Sequence, residues 1–355
     1  MLICLTYILL PFALISFGLI HKGQHIFLIL SSIVIMAGAV RSWSLRAFGI
    51  YAACWFLFLR IGEMAGIVNR TQAVRAMNST IYMIVAFGIY LAIVYTPIKK
   101  EKIFNAICIG AILQSILGII QSFNFYPVIW FVGKLTHIDN PLMGEVTGSL
   151  GNTTFLGGFL AISLPFFFRE KWLWLSVFPA YQILTLHSSG TAAAALVAVV
   201  VYFKQWKVLI AAVVMGIVFL VLFESSNIFT NPRWGFWLNI IKKICASPQS
   251  FIIGYGPGHP TGYNFPIHNE WLEMWFNYGA VSIFMAVIYI KNIYREDKIL
   301  LAGFAAFIVN SLANYGWHLA PSGFLILIIM GLLEKEKHGG LSYFSKLNRR
   351  GAERG

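Results

Sequence analysis

Apolar positions run in long blocks, broken by a few charged residues or by Gly and Pro, at 3–20, 25–40, 47–67, 79–96, 103–122, 154–168, 172–187, 189–203, 206–223, 270–290, 298–315 and 319–333. Because about 20 apolar residues carry an α-helix across a hydrocarbon core, the pattern predicts an all-α, polytopic transmembrane helix bundle of about 12 spans. The count falls to about ten or eleven if neighbours merge between 154 and 203, where Arg169 and Lys171 are thin punctuation, or if 25–40 is too short to cross. Residues 1–20 carry no basic leader and no small-residue cleavage pattern, so they read as a retained first span. The blocks divide the chain into N-terminal helices (1–123), a first outer loop (124–153), central helices (154–223), a large second loop (224–269), C-terminal helices (270–333) and a basic tail (334–355).

Composition supports the pattern. Of 355 residues, 59% are hydrophobic and 11% charged, where soluble domains carry about a quarter charged. A water-facing surface cannot be built from this chain, which excludes a pair of soluble domains and makes the lipid bilayer its expected surroundings. The net charge of +13 is then a question of placement, not of nucleic-acid binding. With the N-terminus inside, the cytoplasmic segments hold Arg41 and Arg46, Lys99, Lys100 and Lys102, Arg169 and Lys171, Lys204 and Lys207, Lys291, Arg295 and Lys298, and six more after Glu334: 18 of the 26 Lys and Arg. That bias predicts both termini in the cytoplasm and the two long loops on the outer face. Cys4, Cys54, Cys108 and Cys245 have neither CxxC spacing nor a His cluster, so no disulfide framework, metal site or cofactor is expected.

The chemistry has to sit in the loops. The second contains Trp234, Phe236, Trp237, Phe251, Tyr255, Tyr263 and Phe265, too much aromatic surface for a solvated linker. Asn231-Pro232 reads as a helix start, and the helix runs to about Ala246. Its predicted apolar stripe is Trp234, Trp237, Ile241 and Ile244, lying along the membrane surface, and Ser247-Pro248 ends it. Arg233 opposes the helix dipole in the first turn. Either it snorkels to headgroups, or a phosphate-sized anion binds to it and to the free N–H groups beside it. Beyond Gly254, Gly256 and Gly258 comes His268, followed by Asn269 as N-cap of the next span, with Glu270 and Glu273 in the first turn. His268 is placed to act as a general base, or it packs at the interface; the glutamates complement the dipole or support the site. The spacing of His259, His268 and Glu270 fits no metal-ligand pattern. In the first loop Asn152 or Thr153 can cap a helix in which Gly157 and Gly158 allow close packing. P-loop, GxSxG, HExxH and dinucleotide fingerprints are absent from the sequence.

Three ordered stretches carry a resemblance. Gly151-Asn152-Thr153-Thr154-Phe155-Leu156-Gly157-Gly158-Phe159-Leu160-Ala161 with Leu164-Pro165 resembles the GN-x-N-F-L-A stretch of the O-antigen ligase and polymerase superfamily. Arg233-x-x-x-Trp237, Ser247-Pro248 and Gly254-Tyr255-Gly256 look like its R-x-x-x-W, P and G-x-G series. His268-Asn269-x-x-Leu272-Glu273 and Tyr278-Gly279 are similar to its H-N-x-x-L-E-x-x-x-x-G signature. The resemblance covers about 145–285 and implies a metal-independent glycosyltransferase of the bacterial inner membrane, working on the periplasmic face. Its donor would be a glycan on undecaprenyl diphosphate, and its acceptor a hydroxyl of lipid A core, a growing glycan or a protein. By motif position it implies His268 as base toward the acceptor and Arg233 at the diphosphate, with Asn269, Glu273, Asn152, Trp237, Gly254 and Gly256 in support. A second family arginine falls at Ser189, within His187-Ser188-Ser189-Gly190-Thr191. Its charge would come from His187, Lys134, Lys242 or Lys243, or the leaving group is handled differently. A transporter or flippase is the reading from another class. Such a protein places charges at midmembrane depth or breaks its helices, whereas Arg60 and Glu63 lie near the outer end of their block.

Overall fold

The computed structural model describes residues 88–90, 92–94, 99–126, 146–150, 152–186, 188–204, 232–255, 267, 269–292, 297–312 and 320–337. The first three spans, most of the fourth, the span at 206–223, the tail, and His187, Gly256 and His268 lie outside them. The described residues form helices and turns and contain no strand. In chain order the α-helices are α1 (Lys100–Ser122), α2 (Thr153–Ser163), α3 (Val177–Thr185), α4 (Ser189–Phe203), α5 (Pro232–Ile244), α6 (Pro248–Ile252), α7 (Glu270–Asn292), α8 (Lys298–Asn310) and α9 (Ala320–Lys337). Among the described residues α1 alone is both long and apolar enough to cross a membrane.

α1 buries polar side chains among the apolar ones of its inner face and carries apolar ones outside. Gln114, Ser115 and Gln121 are buried, while Ile109, Leu113 and Ile116 are exposed. Ser115 donates to Ala111 O at 2.8 Å. The two glutamines hold the incoming loop. Gln121 Oε1 accepts from the N–H groups of Thr147 (2.8 Å) and Gly148 (2.7 Å), and its Nε2 donates to Gly148 O at 2.7 Å. One turn pair earlier, Gln114 donates to Ser149 Oγ at 2.8 Å and accepts from Ser149 N at 3.0 Å. Gly148 has φ +57°, and a Cβ there would lie 2.6 Å from Gln114 Oε1. Both the turn and its contact with α1 therefore require glycine.

α2 is the centre of the bundle: Leu156 through Ser163 are all buried. Apolar on every side, it touches α1, α3, α4, α8 and α9. The adjacent glycines serve two neighbours. A Cβ on Gly157 would meet Thr191 Oγ1 of α4 at 2.5 Å, and one on Gly158 would meet Asn310 Nδ2 of α8 at 2.6 Å. Here the small-residue packing face expected from the sequence is realised. The 3₁₀ turns Leu164–Phe167 and Glu170–Ser176 follow, then α3. The block 172–187 is thus not one α-helical span but a 3₁₀ stretch joined to a nine-residue helix. At about 2.0 Å rise per 3₁₀ residue and 1.5 Å per α residue, Glu170–Thr185 still covers close to 27 Å.

The charged groups gather at one end. Lys100 pairs with Asp297 (2.9 Å) and Glu336 (3.1 Å), joining the start of α1, the N-cap of α8 and the end of α9. At the same end Arg169 donates to Phe166 O (3.1 Å) and Asn105 Oδ1 (3.1 Å), and lies over the Phe104 ring. Trp172 Nε1 shares the Asn105 oxygen at 2.9 Å. Tyr202 Oη donates to Phe168 O at 2.9 Å, which brings the end of α4 there too. Gln121, Asn152, Asn310 and Ser311 mark the opposite end.

Replacing Gln121 by Leu removes three bonds and leaves the buried Thr147 and Gly148 amides without acceptors. It should cost about 2 kcal/mol or more, read as a lower melting temperature and faster hydrogen exchange at those two amides.

Candidate functional site

Two short helices and one long helix, all close to the predicted motifs, build a second core. Phe236, Ile240 and Ile244 of α5 pack with Ile267 and with Leu272 and Phe276 of α7, and Trp237 and Tyr255 close over them. The observed face of α5 corrects the predicted stripe: Phe236, Ile240 and Ile244 are buried, while Ile241 is exposed. Of the predicted stripe only Ile244 is fully buried and Trp237 is half-buried; the side chain of Trp234 lies outside the described residues. The apolar arc of α5 is broad, running from Phe236 and Ile240 round to Ile241 and Leu238 with Asn239, Lys242 and Lys243 opposite, so helical period alone does not select the part that packs.

Ser247 does more than end α5. Its hydroxyl accepts from Ser250 N (3.0 Å), and Ser250 Oγ accepts from Ser247 N (3.1 Å), a capping box that starts α6. Past α6 the backbone crosses α7 at a pair of glycines. Gly254 has φ +82°, and a Cβ on it would lie 2.6 Å from Gly279 N; a Cβ on Gly279 would overlap the carbonyl of Ile252. Gly279 itself takes φ +70° and ψ −175°, a conformation open almost only to glycine, and breaks α7 there. The groups freed by the break find partners nearby. Ser282 Oγ donates to Gly279 O (2.7 Å) and Met274 O (3.2 Å), and Tyr255 N donates to Phe276 O (2.8 Å). Tyr255 also stacks on Phe276 at 4.8 Å and donates through its hydroxyl to Lys243 O (2.8 Å).

The segment around 268 is held from both sides. Trp237 Nε1 donates to Ile267 O at 2.7 Å, and Ile267 is buried. On the other side, Asn269 Oδ1 accepts from Leu272 N at 3.0 Å, the N-cap role expected of it. Glu270 N donates to Ser311 O at 3.0 Å, and Trp271 Nε1 reaches Ile308 O at 3.4 Å, tying the start of α7 to the end of α8. Glu270 and Glu273 occupy the first turn of α7, and one oxygen of Glu273 is shielded from solvent.

Trp237, Gly254 and Gly279 therefore meet where α5, α6 and α7 pack, together with Leu272, while Asn269 caps α7 and Glu273 lies in its first turn. Arg233 is the second residue of α5, with its side chain outside the described residues, as are His268, His187 and Gly256. Asn152 belongs to another element: it caps α2 by accepting from Thr154 N at 2.8 Å. It joins the second core through neighbours, since Gly158 of its helix abuts Asn310, and Ser311 holds Glu270. Ser189 opens α4, whose Thr191 packs on Gly157, so it begins a helix next to the one that Asn152 caps. Sequence reasoning missed Gln114, Gln121, Gln182 and Asn310. Gln114 and Gln121 lie seven residues apart in an apolar run, one helical face, and that spacing is the signal for them. Gln182 is fully buried against Gly118, and neither end of its amide has a hydrogen-bond partner.

Among the described residues no group of three or more His, Cys, Asp and Glu side chains could hold a metal ion. No protein-family model matches the chain, and no curated protein matches it.

Gly279→Ala should lower stability by about 2 kcal/mol or more, because strain and overlap with Ile252 add. Gly235 lies in α5 with open space around it, so Gly235→Ala should leave stability unchanged or raise it by about 0.5–1 kcal/mol. Melting temperatures of the two variants in one detergent check both signs.

Proposed function

We propose that the protein is a polytopic glycosyltransferase of the bacterial inner membrane, O-antigen ligase-like, that moves a glycan from undecaprenyl diphosphate to an acceptor hydroxyl on the periplasmic face. The acceptor is lipid A core, a growing glycan in a polymerase, or a protein. The observation that carries this reading is the meeting of three separate motifs where α5, α6 and α7 pack: Trp237 of R-x-x-x-W, Gly254 of G-x-G, and Leu272 and Gly279 of the H-N-x-x-L-E series. The Trp237 bond falls on the carbonyl directly before His268.

In the proposed reaction His268 takes the proton of the acceptor hydroxyl as its oxygen attacks the anomeric carbon. The bond from that carbon to the diphosphate breaks, and its electron pair leaves on the diphosphate oxygen. Arg233 and the free N–H groups at the start of α5 stabilise the charge that develops there. Trp237 and Asn269 act as positioning residues, fixing the main chain on either side of the base.

Two features support the twelve-span arrangement with both termini inside. The ends of α1, α2, α4, α8 and α9 that carry Lys100, Arg169, Lys204, Lys298 and Lys335 lie together, at the end assigned to the cytoplasm. The outward Ile109, Leu113 and Ile116 of α1 suit lipid, and exposed Trp174 at one end with Phe123 and Phe125 at the other suits the two interfaces. A transporter or flippase is the second reading, favoured by the interruption of α7 at Gly279.

The test is glycan transfer by the purified, reconstituted protein from a lipid-linked donor to candidate acceptors. His268→Ala should reduce turnover by about 100-fold or more with an unchanged melting temperature, and Arg233→Lys should raise the donor KM about tenfold by loss of bidentate contact. Trp237→Phe keeps the ring but loses the N–H, and should lower kcat more than it raises KM. Transfer that survives His268→Ala removes the base assignment. Movement of the donor across the bilayer with no transfer to any acceptor selects the second reading.

A further inference from the structure

α5 has a second apolar face that none of the described residues covers. With Phe236, Ile240 and Ile244 turned to α7, Leu238 (55% exposed) and Ile241 (38%) stay outside, and Lys242 shares their side of the helix at i, i+3 and i+4. α6 extends this surface, because Phe251, Ile252 and Ile253 are 40%, 50% and 64% exposed in consecutive positions. Five large apolar side chains in one elbow make a patch of the kind that marks an interaction site.

What covers it is indicated by three observations. From Ser225 to Asn269 the sequence contains no Asp or Glu, while Arg233, Lys242 and Lys243 are basic; a segment of that charge is complementary to an anionic surface. The elbow meets α7 at the Gly279 break, and directly beyond it α7 exposes Val281, Phe284 and Val287 on one stripe. The two apolar surfaces are therefore continuous. Finally, amphipathic aromatics close the elbow: Trp275 packs edge-on against Phe251 at 5.2 Å and donates to its carbonyl (3.2 Å), and Tyr255 bonds Lys243 O. Trp and Tyr concentrate at the membrane–water boundary.

We infer that the α5–α6 elbow is a wedge set into an anionic lipid leaflet, with Leu238, Ile241, Phe251, Ile252 and Ile253 among the acyl chains and Lys242 at the phosphates. α5 is then held between α7 and lipid, and the Trp237 bond to Ile267 is kept at a fixed depth. The inference rests on the membrane reading above and not on glycosyl transfer.

The experiment uses the full chain with its native cysteines replaced, in phosphatidylethanolamine–phosphatidylglycerol vesicles. A spin label is placed in turn by Ile253→Cys, by Phe284→Cys on the α7 stripe, and by Gln249→Cys on exposed α6, and collisions with oxygen and with a water-soluble nickel chelate are measured. The wedge predicts an oxygen-to-nickel ratio at 253 close to that at 284 and several-fold above that at 249. Replacing the vesicles by pure phosphatidylcholine should lower the ratio at 253, and Lys242→Gln should remove that lipid dependence. Nickel access at 253 matching 249, with 284 still in lipid, overturns the wedge alone. Protection of 253 from both reagents also overturns it, since a protein surface such as a second copy then covers the elbow. Nickel access at 284 as well overturns the membrane reading and the wedge with it.

Discussion

Away from water, a buried hydrogen-bonding group must find its partner inside the fold, and in this chain that requirement decides where the few polar side chains go. On α1 Gln114 and Gln121 face inward among buried Ile103, Ile107 and Ala111, while Ile109, Leu113 and Ile116 face outward. Gln114 and Gln121 satisfy the turn 147–149 that feeds α2. Ser115, Ser163 and Ser311 each return a hydroxyl to the carbonyl four residues earlier. Such bonds let α2 sit at the centre with no exposed side, and the rest of the bundle is arranged around it.

The same economy shapes the second core. Between 237 and 282 four polar side chains are directed at main chain: Trp237 at Ile267, Asn269 at Leu272, Tyr255 at Lys243, Ser282 at Gly279. None of these bonds joins two side chains, so each fixes the path of the backbone. A group carried on such a backbone inherits its position from neighbours that do no chemistry. Loops of high Gly and Pro content become fit for a site in this way, without regular secondary structure of their own.

Local features of both cores were legible in the sequence. Asn152 and Asn269 cap the helices they precede, because an N-cap depends on a few consecutive residues. The bounds of α4 and α7 follow the apolar blocks 189–203 and 270–290 to within two residues, while α2 stops at Ser163 and the rest of its block turns 3₁₀. The packed face of α5 was not legible, since Trp234, Phe236, Trp237, Leu238, Ile240 and Ile241 form an apolar arc wider than one contact, and Asn239, Lys242 and Lys243 mark only its far side. Neither was the 3₁₀ course of Glu170–Ser176, which composition does not distinguish from an α-helix. The Trp237–Ile267 and Gly254–Gly279 contacts join residues 30 and 25 positions apart. Sequence lists those partners without saying that they meet.

The break at Gly279 gives α7 two dipoles in place of one. The half that begins at Glu270 ends in carbonyls at the crossing, and the half that follows begins there with amides, so partial charges of opposite sign lie back to back inside an apolar wall. An uninterrupted helix would carry its charge only at its two ends, at the boundaries of the bundle. Here a polar seam is placed part-way along the helix, beside the elbow of α5 and α6, and each half can be aimed separately. The first half takes its direction from Ser311 and the second core, while Tyr289 and Ile290 of the second half pack against the main one.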